Sequence, residues 1–212
     1  MKRATALEVA TTHEILEDAI VCHDKQRTEF RSGYLAGQVA IRHAIVNNDG
    51  LELTWSEALD RPIDQSTTDW EDISGRHAKA ARLVPRGPLD GSLAPRQLAI
   101  VMGLLAQDIS TPVLCLFWEG YWSVFSAPQG RPMRPLLDFM GLQYLVTSST
   151  ASRLSFESFK SFSRGPSICL SVEEGWIVAS DIDAYCSWVA ADADGLAALR
   201  ASHLDIADTT IP

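Results

Sequence analysis

Pro112-Val113-Leu114-Cys115-Leu116-Phe117-Trp118-Glu119-Gly120-Tyr121-Trp122-Ser123-Val124-Phe125 marks the point where the pattern of the chain changes. Val113 to Trp118 is a short apolar run rich in β-formers. Glu119-Gly120 has turn chemistry, and Tyr121 to Phe125 is a second run of β-formers, so the pair reads as a hairpin. Downstream, Pro128 to Pro135 is loop, dense in proline and arginine. Leu142 to Thr147 is a strand candidate. Ile168 to Val172 and Trp176 to Ile182 flank Glu173-Glu174-Gly175, a second hairpin signature. Between them, Ser148 to Gly165 carries Phe156, Phe159 and Phe162 and reads as a short helix or an aromatic-pinned loop. Tyr185 to Val189 is a last strand. Asp192 or Asp194 caps a closing helix with Leu196 and Leu199 inward, and Asp205 to Pro212 is read as a frayed tail.

Upstream, the spacing predicts helices. Thr11 with Glu14 reads as a capping box ahead of Ile15, Leu16, Ala19 and Ile20, with Gly33 as the stop. A second helix is expected over Leu35 to Val46, ended by Asn47-Asn48-Asp49-Gly50. Thr54 with Glu57 opens a short helix. Thr68 with Glu71 opens a longer one along Trp70, Ile73, His77, Ala80, Ala81 and Val84. After an Arg86 to Pro95 loop, Pro95 suits the first turn of a helix that buries Leu98, Val101, Met102 and Leu105. The expectation is an α+β fold: a helical N-terminal half, then an antiparallel sheet of about four to six strands, then a C-terminal helix. Residues 1–212 are read as one α+β domain, with an optional division into a helical region 1–84 and a mostly antiparallel β region with helices, 85–212.

The 212 residues carry 18 Lys+Arg against 27 Asp+Glu, a net charge of −9. That balance argues against general nucleic-acid binding, which needs a concentrated positive face. No apolar run approaches the ~20 residues of a membrane span. Glu8 interrupts the N-terminal apolar stretch too early for a secretory signal, so a cytoplasmic location is expected. Cys22, Cys115, Cys169 and Cys186 form no CxxC pair, and His13, His23, His43, His77 and His203 form no zinc spacing. No GxSxG elbow and no glycine-rich phosphate loop is present. The sequence therefore names no catalytic residue, no metal site and no cofactor.

Two constellations remain as candidate ligand or partner sites. Trp118, Glu119, Tyr121 and Trp122 would form an aromatic lip around a turn, since aromatics give large contact area at low entropic cost. The bland alternative is that the tryptophans stabilise the hairpin and Glu119 is solvated. Asp181 and Asp183, two apart on a strand, would lie side by side and bind a cation or share a proton. Their bland alternative is a strand end running into a polar turn. Trp188, on the last strand, joins the candidate set.

Leu116-Phe117-Trp118-Glu119-Gly120-Tyr121, then Tyr144-Leu145-Val146, then Gly175-Trp176-Ile177-Val178-Ala179-Ser180-Asp181-Ile182-Asp183 resemble an uncharacterised, largely actinobacterial family with WEGY(G) and A(W)xVA(T/S)(E/D)ID motifs. The resemblance spans residues 82 to 201 and includes Leu89-Asp90-Gly91-Ser92-Leu93. Ala190 and Ala191 stand where the family pattern has glycines. The resemblance implies no activity. The functional expectation is a non-enzymatic cytoplasmic binding module, immunity-like or regulatory, with a protein partner. The alternative is a metal-assisted hydrolase using Asp181, Asp183 and Glu119 or Glu173.

Overall fold

A nine-stranded antiparallel sheet dominates the computed structural model, which describes residues 2–24, 27–31, 36–46, 51–64, 70, 88, 91–120, 136–154 and 165–207. The strands that build it are β1 (Lys2–Arg3), β4 (Gly37–Arg42), β7 (Pro112–Trp118), β8 (Leu136–Phe139), β9 (Leu142–Thr150), β10 (Ile168–Ser171), β11 (Trp176–Ser180), β12 (Cys186–Ala191) and β13 (Ile206–Ala207). Their order is β1-β9-β7-β10-β11-β12-β4-β13, with β8 also paired to β9. Two small ribbons stand apart: β2 (Ile20–Asp24) with β3 (Arg27–Phe30), and β5 (Ile45–Val46) with β6 (Glu52–Leu53). The helices whose bounds fall among the described residues are α1 (Ala6–Ala19), α2 (Trp55–Leu59), α3 (Pro95–Leu105), α4 (Ala151–Leu154) and α5 (Ala193–Arg200).

Among the described residues the N-terminal half is not predominantly helical, and the sheet has nine strands rather than four to six, which overturns the expected fold class. Leu35 to Val46 is not a helix. Gly37–Arg42 is β4, a strand with β12 on one edge and β13 on the other. Its central Val39-Ala40-Ile41 shows no polar alternation because both faces are buried: Ala40 belongs to one core and Val39 and Ile41 to the other. Such a run looks the same to periodicity whether it is a buried helix or a buried strand. The β-branched Val39, Ile41, Ile45 and Val46 are the composition that favours the strand.

The first helix also starts earlier than Thr11. Thr5 is its N-cap, in a reciprocal capping box with Glu8, and Thr12 returns its hydroxyl to the Glu8 carbonyl inside the helix. Ile20-Val21 then turns the chain into β2 rather than continuing to Gly33. The helix read over Thr68 to Val84 lies outside the described residues, apart from Trp70, as does most of the Arg86 to Pro95 loop.

Other local readings match the structure. Thr54 and Glu57 form a capping box on α2. Pro95 occupies the first turn of α3. β10 and β11 form the hairpin over Glu173-Glu174-Gly175, where Gly175 takes the positive φ of 67° that the tight turn requires. Asp192 caps α5 by accepting from Gly195 N–H.

Alternation along the strands divides the core in two. Val146, Leu116, Ile168, Ala179, Trp188, Ala40 and Ala207 form one row across seven strands and face α1 and α2. Val113, Cys115, Phe117, Cys169, Val178 and Val189 face α3, α4 and α5. The sheet is thus the middle of three layers. Strands β1 and β4, from before residue 84, pair with strands from after it.

Candidate functional site

The register places several singled-out residues at one end of the sheet. Trp118, the last residue of β7, is level with Tyr144 on β9, one step beyond the Phe117 row. Asp181 directly follows β11 at the same end, and Cys186 pairs with Arg42 there. At about 4.8 Å per strand, Trp118 and Asp181 are about 10 Å apart across β10, and Asp181 and Arg42 are about 10 Å apart across β12. Trp118 is half-buried against the α1/α2 core, and Trp188 is buried in that core. The Trp188 indole N–H is buried without an acceptor. Gly120 lies so close under Trp118 that a Cβ there would come within 2.1 Å of the indole ring, so the Trp-Glu-Gly sequence is a packing unit.

The expected pairing of Val113–Trp118 with Tyr121–Phe125 is not what holds β7. Its edges are taken by β9 and β10. Tyr121 and Trp122 lie outside the described residues. Asp181 and Asp183 are not side by side on a strand, because β11 ends at Ser180. Asp181 is buried and its carboxylate accepts from Asp183 N–H at 3.2 Å, an Asx-type turn leading into β12, while Asp183 is exposed. Glu173 sits in the turn at the opposite end of β11, so it cannot meet them. Among the described residues, no group of three or more His, Cys, Asp or Glu is placed to hold a metal ion.

The sequence reading missed the polar centre of the molecule. Arg42, which is 3% exposed, pairs with Asp205 at 2.7 Å and donates to the Asp64 carbonyl at 2.7 Å. Its guanidinium stacks 5.6 Å from the Trp55 ring centroid. Asp205 also accepts from Trp55 N–H at 2.9 Å, and the Trp55 indole donates to the His43 carbonyl at 2.8 Å. Gln97 on α3 reaches the same strand end: its oxygen accepts from Ala44 N–H and its amide donates to the Arg42 carbonyl. His43, fully buried, is hydrogen-bonded to Ser187, and Ser187 to Ser180. These groups come from positions up to 163 residues apart, so no spacing could reveal them. The one available signal was a charged residue, Arg42, inside an apolar run, which demands a buried partner.

A cleft of about 290 Å³ opens beside this network, between the β5–β6 ribbon, the α3 N-terminus and the turn before β13. Glu52, Thr54, Glu57, Arg96, His203 and Asp205 line it. A second cleft of about 430 Å³ shares Thr54, Leu204 and Asp205 with it and adds Arg42 and Arg200. Burial pushes the Glu52 carboxyl up from its ordinary value, partly offset by the Arg96 backbone N–H and the Arg96 charge. The Thr54 N–H and hydroxyl hold Glu57 below its ordinary value. Trp118 is five strand spacings, about 24 Å, from Asp205, so Trp118 is not part of the cleft.

No family model, no curated protein and no solved structure matches the chain. Among the described residues no helix is long and apolar enough to cross a membrane.

Proposed function

We propose that the protein is a non-enzymatic binding module that takes a cationic group of a partner, a lysine or arginine side chain, into the cleft at the β4–β13 edge. The observation that carries this reading is the cleft's charge. Glu52 and Glu57 line it against Arg96, while the Asp205 charge is already met by Arg42. Glu52 is the informative member: burial disfavours its charged form, and an incoming cation supplies the compensation that burial withdraws. Glu57 uses Oε2 for the α2 cap, so Oε1 is available to a ligand. The volume suits a side chain rather than a large cofactor. The net charge of −9 draws a basic partner towards the molecule at long range.

Isothermal titration with a short Lys/Arg-rich peptide tests the reading. Binding is expected at low ionic strength, weakening as salt shortens the Debye length, and falling roughly tenfold in a Glu52→Gln/Glu57→Gln protein, about 1.4 kcal/mol. No binding at low salt, or binding indifferent to the double substitution, contradicts it.

A further inference from the structure

Cys115 on β7 and Cys169 on β10 face each other directly in the sheet. Both are buried on the α3/α4/α5 side, with their sulfurs 3.9 Å apart. The backbone tells which kind of pair this is. Ser180 N–H donates to the Ser167 carbonyl in the β10–β11 register. Ser167 donates its own N–H to the Leu116 carbonyl and so faces Leu116 together with Ile168 as a bulge. On the other side, Ala4 N–H donates to the Val146 carbonyl, which turns the Thr147 backbone groups to Cys115 and leaves those of Cys169 to β11. Cys169–Cys115 is then a non-hydrogen-bonded pair, the class in which Cα atoms approach to about 4.5 Å and side chains are closest. That separation lies inside the window a disulfide spans.

Cys186 offers no competition. It lies on the opposite face of the sheet, on β12, two strands beyond β10.

We propose that Cys115 and Cys169 are a disulfide-forming pair, closed by thiol–disulfide exchange with a small-molecule disulfide of the glutathione type. A Cys thiolate attacks the glutathione disulfide and releases one glutathione thiolate. The second Cys sulfur then attacks the mixed disulfide and releases the other. One S–S bond breaks and one forms. The two protons lost by the cysteines end on the two glutathione thiols. The hydrogen bond to Cys115, burial and the Cys115 charge all raise the Cys169 thiol, so the exchange runs while the sheet is forming or transiently open, not in the closed core. Once closed, the bond ties β7 to β10 across 54 positions of chain that include β8, β9 and α4. It thereby constrains the unfolded ensemble.

The test uses the full chain, reduced, unfolded in urea and diluted into a mixture of reduced and oxidised glutathione. Two of the four thiols should disappear on titration in denaturant. Peptide mapping should return one cross-link, Cys115 to Cys169. Cys115→Ser should abolish it and Cys186→Ser leave it unchanged, and the oxidised protein should show a higher urea midpoint than the reduced one. Four free thiols, glutathione adducts, or a predominant link through Cys22 or Cys186 would overturn the proposal. If dilution yields no folded protein, the same readouts are taken on never-unfolded protein held in sub-denaturing urea with the same mixture, and the same outcomes decide.

Discussion

Glu174 shows how much one exposed-looking turn residue does in this fold. Its carboxylate accepts from Asp108 N–H at 3.0 Å, Thr111 Oγ1 at 2.9 Å and Trp176 Nε1 at 3.1 Å, stitching the loop after α3 to the β10–β11 hairpin. Partial burial works to raise this acid, but the hydrogen bonds from Asp108, Trp176, Thr111 and Gln107 together hold it below its ordinary value. The contribution to stability is therefore fully present above the unfolded value of about 4.3 and is lost as pH falls through the lower, folded value. Glu174→Gln should cost about 1 kcal/mol at pH 7, read by urea denaturation, and the gap from the parent protein should shrink towards pH 3. A gap that is constant or widens with acid would show that the carboxylate's charge is not what these donors hold. In the sequence Glu174 was legible only as a turn residue, because its partners come from two other segments. Gly120 is the converse case. The Trp-Glu-Gly motif was visible, but its reason, an indole lying against a glycine, appears only in the packing.

At the level of elements, legibility followed burial. α3, α5, β9 and the β10–β11 hairpin were readable because each carries local chemistry: a proline at the first turn, an aspartate cap, a β-rich run, an acidic-glycine turn. β4 was not, since burial on both faces erases the alternation that marks a strand. The start of the tail was misjudged for a related reason. Asp205 is not frayed but locked to Arg42 and Trp55, with β13 paired to β4 beyond it. That tie joins β4, α2 and the chain end. Asp205→Asn keeps the shape but removes the Asp205 charge from the buried Arg42 guanidinium. The expected loss is about 3 kcal/mol, a fall in Tm of roughly 6–12 °C for a chain of this size. A change near that of a surface pair, under about 0.5 kcal/mol, would mean that Arg42 draws its compensation elsewhere.

For the whole molecule, the sheet is a middle layer with helices on both faces, and a buried polar network gathers where β4 ends. Trp118, Asp181, Arg42 and Asp205 occupy one end of that layer, and its β4–β13 edge opens into a cleft lined by the half-buried Glu52. The negative charge thus acquires a location. Some of it caps helices, as Glu8, Glu57 and Asp192 do, and some lines the cleft. The cleft as receptor for a cationic side chain is the claim on which the functional account stands. The most direct test is a backbone-amide NMR titration of the full chain with a Lys/Arg-rich peptide at low salt. The account predicts saturable shifts centred on Glu52 to Glu57, Arg96, Gln97 and His203 to Asp205. Shifts centred instead on Trp118, Glu119 and Asp181 to Asp183, or none anywhere, would contradict it.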